Sequence, residues 1–271
     1  MPNLRGPYEE KRRLYASVLT SVVTYAAPVW SDALSSASSK KIFRPIIRLQ
    51  RSTTIRVVSG YRTISFDVAT LLARMPPWTL EVAMRRRVYE RVTDLRRRNE
   101  WSKEAVADLK KQERNIMNRQ WSASLNRPGA PGVFTRGIIR PHFTKWLGRK
   151  FGNTSFRMTQ MLTGHGCFGH YLSRMRKRDL LACLHFTADD DTVEHTIYEC
   201  PALVDQRMAL WISLSQEAET MDLGCIIETI VDSQTKWLAF SLFANSVIEG
   251  KETREREWER EVSPAFSFSS S

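Results

Sequence analysis

Between Gly164 and Pro201 the chain gathers four of its five His and three of its four Cys. The stretch reads Gly164-His-Gly-Cys-Phe-Gly-His-Tyr-Leu172, then Arg174-Met-Arg-Lys-Arg178, Cys183-Leu-His185, Asp191-Thr-Val-Glu-His195 and Cys200-Pro201. Thiolate and imidazole are the ligands zinc prefers, and small Cys/His knuckles fold around that metal. Scattered core residues do not cluster in this way, so zinc is the cofactor these residue types suggest. Two other chemistries find little support. No Gly-x-Ser-x-Gly elbow accompanies His142, His165 or His170. Gly164 to Gly169 lacks the strand-loop-helix setting of a phosphate loop, and its glycines suit a tight turn instead.

The same stretch closes a block of unusual charge. From Arg114 to Arg178 there are 13 Lys or Arg and no Asp or Glu, whereas the rest of the chain is nearly balanced, so the block accounts for the net charge of +12. An acid-free run of this length attracts polyanions, and RNA or DNA is the expected partner. Within it Trp146, Phe151 and Phe156 alternate with Arg149, Lys150 and Arg157. Such aromatics can stack on bases while cations hold phosphates, or they can be core. Arg174, Arg176, Lys177 and Arg178 extend the candidate nucleic-acid surface. The amino terminus has no apolar signal-peptide region, and no apolar run is long enough to span a membrane. The chain is therefore expected to be intracellular, nuclear or cytoplasmic, where thiols stay reduced. Cys225, between Gly224 and Ile226, is expected in the core.

The elements that must position these residues are helices. Leu14, Val18, Val22 and Tyr25 recur at helical spacing over 8–27, which predicts one apolar face turned inward. A second helix is expected from about Lys40 to Ser59, its start delayed by Pro45, and Gly60 follows its end. Ser65 can cap a short helix over Phe66–Ala73. After Pro76-Pro77, helices are expected over Glu81–Arg98 and from Ser102 to about Leu125. The first carries Arg85, Arg86 and Arg87 on the face opposite its apolar residues. Arg127–Gly137 is rich in Pro and Gly and reads as a boundary. A short helix over 155–162 should end at Gly164. Ala202–Glu217, through Val204, Met208, Trp211 and Leu214, is amphipathic, and Cys225–Val231 is a short apolar helix. Gln234–Glu261 is a long last helix, its first half apolar and its second half of mixed charge, as on a solvated face. No strand pairs are evident. The pattern predicts a mainly α fold: a helical domain over 1–126, a basic Cys/His segment over 127–205, carboxy-terminal helices over 206–262, and a Ser-rich tail, 263–271, too polar to order itself.

Taken in succession, several phrases resemble the region that follows the catalytic core in reverse-transcriptase polyproteins of non-LTR (LINE-type) retrotransposons. They are Tyr25-Ala-Ala-Pro-Val-Trp30, Gln50-Arg51, Ile55-Arg-Val-Val-Ser-Gly-Tyr-Arg-Thr-Ile-Ser65 and Pro76-Pro-Trp78. Thr159-Gln160, Leu162-Thr-Gly-His-Gly-Cys-Phe-Gly169, Asp191-Thr-Val-Glu-His195 and Cys200-Pro201 complete the series. The resemblance implies a thumb-like helical bundle over about 8–125 and a nucleic-acid-binding segment with a Cys/His knuckle over about 138–205. It also implies the remainder of a polyprotein as a partner.

The family's knuckle has Cys-x2-Cys followed by His-x4-Cys. Cys183, His195 and Cys200 match it, but Phe186 stands where the second Cys would fall. The resemblance thus leaves three ligands of four. His185 could supply the fourth, or Cys167, His165 or His170 could reach in from the preceding loop. Alternatively Phe186 packs a metal-free relic. Asp191 with Glu194 also reads as a helix-capping pair. Family polymerases hold two metal ions on palm carboxylates. Asp189-Asp190-Asp191 superficially resembles that pair, but no β-rich run precedes it, and it reads as a polar turn. The chain is therefore expected to bind nucleic acid without a palm or endonuclease of its own and not to act as an enzyme. The alternatives are a protein-interaction module or a relic of a truncated retroelement.

Overall fold

A computed structural model describes residues 6–31, 39–186, 190–215 and 222–262, with side chains throughout except at 39–43. Asp189 and the tail 263–271 lie outside the described residues. Among the described residues the regular structure is helical, with no strand and one isolated antiparallel bridge between Ala182 and Asp190. The mainly α expectation holds. None of these helices is long and apolar enough to cross a membrane. The chain divides into two compact units, residues 6–58 with 64–136, and residues 59–63 with 137–262.

The amino-terminal unit contains α1 (Glu9–Val23), α2 (Ala27–Trp30), α3 (Ser39–Val57), α4 (Phe66–Leu72), α5 (Trp78–Arg97) and α6 (Lys103–Ser124). Ser65 caps α4 as expected, its hydroxyl accepting from the Val68 amide at 3.4 Å. The Pro76-Pro77 break is held by Gln50 of α3. The Gln50 amide donates to the Pro76 carbonyl at 2.7 Å and accepts from the Trp78 amide at 2.8 Å. Trp78 is then fully buried, and its Nε1 donates to Thr20 at 2.9 Å. Helices α5 and α6 pack on each other around a buried carboxylate. Glu113 accepts from Arg87 at 2.6 Å and Arg91 at 2.9 Å. Burial alone would raise the Glu113 carboxyl, but the two guanidinium bonds outweigh it and hold it below the usual range.

Helix α1 faces the opposite way from the sequence expectation. Leu14, Val18, Val22 and Tyr25 are 56–79% exposed, while Glu9, Ala16 and Thr24 are buried. Polar anchors fix this orientation. Arg12 donates to the Val57 carbonyl at 2.9 Å, Arg13 donates to the Ala73 carbonyl, and Glu9 pairs with Arg13. Ala16 is on the buried side of α1, which packs on α3. Pro45 lies inside α3 and does not delay its start.

The chain passes between units within α7 (Val133–Ile139). The carboxy-terminal unit continues with a 3-10 turn at Arg140–His142 and α8 (Phe143–Gly148). Then come α9 (Phe156–Thr163), α10 (Gly169–Arg174), α11 (Val204–Leu214), α12 (Leu223–Val231) and α13 (Gln234–Val262). Ser155 caps α9; Gly164 ends it with φ 66°, as the sequence predicts. Helix α13 is the spine, and α9, α11 and α12 all pack on it. Its first half buries Trp237, Phe240, Ala244, Val247 and Ile248 as expected. Its second half is not simply solvated, because Lys251 and Glu252 are buried too. Cys225 is exposed, since α12 turns Ile226, Ile227 and Ile230 inward and leaves Cys225 on its outer side. On α11 Trp211 and Leu214 are buried as expected, whereas Val204 and Met208 face solvent.

The orientation of α1 yields a direct test. Val18→Lys or Val22→Lys should move the thermal midpoint little, the change staying within about 0.5 kcal/mol. Ala16→Leu should overpack the buried side of α1 and cost about 1–3 kcal/mol. Thermal melts followed by circular dichroism give both values; the reverse order would mean the apolar face is the packed one.

Candidate metal centre and cationic surface

Cys183, His195 and Cys200 come together in the carboxy-terminal unit, their ligand atoms within 4.8 Å of one another. The two sulfurs are 3.9 Å apart, and all three residues are buried. The backbone that carries them is closely tied. The Asp191 amide donates to the Leu181 carbonyl at 2.9 Å, which sets Cys183 beside the turn that follows. Thr192, not Asp191, caps that turn, its hydroxyl accepting from the His195 amide at 3.0 Å. A wide π turn over His195–Glu199 closes with the Cys200 amide donating to the His195 carbonyl at 2.8 Å. Such turns recur where a side chain must be re-aimed. Here it brings His195 and Cys200 to the same side as Cys183.

Asp191 has a different task from the cap expected of it. Its carboxylate accepts from the Gly169 amide at 3.0 Å and pairs with Lys251 of α13, both side chains being 4% exposed. Arg178 lies 3.7 Å from the same carboxylate and binds Glu255 at 2.6 Å. Arg178 also donates to the Leu180 carbonyl at 2.9 Å and the Ala182 carbonyl at 3.1 Å. Gly169 is required where it stands, because a Cβ there would collide with the Leu181 carbonyl oxygen. One turn earlier, Gln160 of α9 accepts from the Cys167 amide and donates to Glu252, both at 3.1 Å. The Cys/His strap is thus fastened to α9 and α13 by buried polar groups. The sequence held a signal for this. Ala244, Ile248, Lys251, Glu252 and Glu255 continue one helical face by steps of three and four, so the charged residues follow the apolar ones inward.

The donor types suit zinc, and burial fits a structural site. Burial and the adjacent Cys183 thiol push the Cys200 thiol above its ordinary value. A metal ion would have to displace its proton, so uptake should strengthen as pH rises. Among the described residues no fourth Cys, His, Asp or Glu joins the group. His185 is exposed and outside it. Cys167 is bonded through its amide to Gln160, His170 is exposed and 3.4 Å from Asp190, and His165 is bonded elsewhere. Phe186 is 43% exposed and does not fill the site as a relic's plug would.

The residues expected to face nucleic acid separate into two groups. Trp146 is fully buried, its ring centroid 5.6 Å from that of Trp237. Arg149 is also buried, lying 3.9 Å over Trp146 and 4.0 Å over Trp237. Neither presents a surface to a ligand, because the indoles and guanidinium form a core stack. Arg178 is buried as described. Arg157 pairs with Glu249 at 3.0 Å and Glu252 at 3.1 Å. On α5, Arg85 pairs with Glu81, Arg86 with Glu90 and Arg87 with Glu113. Lys150, Arg174, Arg176 and Lys177 remain exposed.

Two curated proteins align with this chain over most of its length. It is 26% identical over 249 residues, 88% of the chain, to the 115 kDa protein in type-1 retrotransposable element R1DM of Drosophila melanogaster. It is 23% identical over 203 residues, 72% of the chain, to the retrovirus-related Pol polyprotein from type-1 retrotransposable element R1 4 of Nasonia vitripennis. The chain is thus similar to a region of non-LTR retrotransposon polyproteins. The chain spans 23% of the first relative's length and 49% of the second's. No family model matches it, and no solved structure does.

The ligand set can be checked by cobalt titration, since thiolate coordination gives an intense near-ultraviolet band. The band should appear with the wild-type chain, survive His185→Ala, and be lost in Cys183→Ser and Cys200→Ser. Phe186→Cys should tighten binding if the strap can still turn that position inward. A band that persists without Cys200 would rule out this ligand set.

Proposed function

We propose that this chain is a nucleic-acid-binding, non-polymerising region of a retrotransposon polyprotein. It would hold RNA or DNA through phosphate contacts and act beside the remainder of that polyprotein, inside the cell, in nucleus or cytoplasm. The observation that carries the reading is the acid-free block over 114–178, within which Lys150, Arg174, Arg176 and Lys177 are exposed. Cations left to solvent release condensed counterions when they meet phosphate, and this binding needs no particular sequence. The Arg85–Arg87 face would contribute less, because each of those guanidinium groups already has a carboxylate.

Cys183, His195 and Cys200 would hold a zinc ion whose role is to tie the strap together. Three donors imply weaker binding than a four-ligand knuckle provides. Two observations support a non-polymerising role. Asp191 is engaged by Lys251 and the Gly169 amide, and Asp190 lies beside His170, so neither is disposed as a two-metal carboxylate. Primer extension would then belong to another part of the polyprotein.

A second reading, a protein-interaction module, is favoured by the exposed apolar face of α1 through Leu14, Val18 and Val22. The two readings part in a binding titration on a single-stranded oligonucleotide across salt. If four cations touch phosphate, the log–log slope should be about −3. Binding that ignores salt, or no binding at low ionic strength, would exclude the nucleic-acid reading and leave the interaction module.

A further inference from the structure

The turn Gly164-His-Gly166 contributes no ligand to the Cys/His/Cys group, yet it fixes one imidazole firmly. His165 is stacked on Tyr171, ring centroids 4.8 Å apart and planes 24° from parallel. Its Nδ1 is 3.0 Å from the Thr63 hydroxyl, which is itself 2.8 Å from the Tyr171 hydroxyl. Its Nε2 is 3.3 Å from Nη2 of Arg174. A guanidinium can only donate, so Nε2 must be the acceptor and the proton must sit on Nδ1, donated to Thr63. Burial, with Arg174 adding to it, brings the imidazole down to about 4, so the ring is neutral at physiological pH.

This arrangement differs in kind from those of the carboxylate-paired arginines. Arg85, Arg86, Arg87, Arg157 and Arg178 are each held by a carboxylate, which orients the guanidinium and cancels its charge. A neutral imidazole orients Arg174 and leaves its full charge available. The side chain is exposed and sits 5.5 Å over the Tyr171 ring, a second constraint on its direction. Arg176 and Lys177 follow immediately and are exposed too. Among the described residues, none of the three forms an ion pair.

Resting on the nucleic-acid reading above, we propose that Arg174 is a phosphate ligand for the RNA or DNA backbone, pre-set by His165, with Arg176 and Lys177 completing the contact. His165 is then a positioning residue, and the Gly164-His-Gly166 turn exists to place it. Pre-orientation lowers the entropy lost when the arginine engages phosphate.

The test is fluorescence anisotropy with a labelled single-stranded 20-mer, using the full chain across a salt series, with thermal melts as a folding control. Arg174→Gln should weaken binding about 10-fold and flatten the salt slope by about 0.7. Replacing Arg174, Arg176 and Lys177 together should flatten it by about 2. Lys110→Gln, which removes one exposed charge on α6, should have little effect. His165→Phe keeps the stack and the net charge but loses the acceptor, and should weaken binding several-fold. His165→Gln restores an acceptor and should recover most of that loss. If the wild type binds steeply with salt but Arg174→Gln behaves like Lys110→Gln, this inference fails and the nucleic-acid reading survives. If His165→Phe binds as the wild type does, the positioning role is overturned. A wild-type chain that does not bind at low salt overturns both.

Discussion

Asp191 and Lys251 are taken out of water together, and the carboxy-terminal unit is organised around that pairing. Burying an isolated carboxylate or ammonium is costly, and mutual attraction offsets the cost only when further hydrogen bonds complete the shell. Here the Gly169 amide completes part of it, and Arg178 stands beside the pair, with Glu255 to balance it. The consequence is specificity of position. A purely apolar contact would let the strap slide on α13, whereas a buried pair allows one register. The Cys/His/Cys group inherits its geometry from that register, since Asp191 lies four residues before His195 and bonds back to Leu181.

The distribution of carboxylates decides what each cation can do. Most arginines foreseen as phosphate contacts are spent on holding the protein together. Arg149 is a core stack with two tryptophans, Arg178 is the hub of a buried network, and Arg157 clamps α9 to α13. Local charge composition cannot distinguish these uses. The block over 114–178 has no acid of its own, but its partners Glu249, Glu252 and Glu255 arrive from α13, far along the chain. What remains for a ligand is Lys150 and the short run from the end of α10, where at Arg174 an imidazole stands in for the carboxylate.

Much of the helical order was legible because apolar spacing, proline breaks and caps act locally. Ser65, Ser155 and Gly164 do what their types predict. The Cys/His/Cys set was legible through the resemblance to the family's knuckle, and His185 lies outside it. Failures came where a long-range polar bond outweighed a local pattern. Apolar periodicity in α1 pointed to Leu14 and Val18, but Arg12 and Arg13 anchor to carbonyls of other segments and turn those residues outward. Asp191 followed a capping pattern, but Lys251 claimed it and Thr192 took over the cap. Cys225 is exposed because the neighbouring isoleucines define the inner side of α12.

The Asp191–Lys251 pair holds the Cys/His strap in register, and amide hydrogen exchange tests this most directly. In the wild type, amides of Gly169, Asp191 and Cys200 should be protected together with those of α13. Asp191→Asn should lower protection across 164–172 and 190–200 in concert while leaving α5 and α6 unchanged. Strap amides that keep full protection in Asp191→Asn would contradict the account.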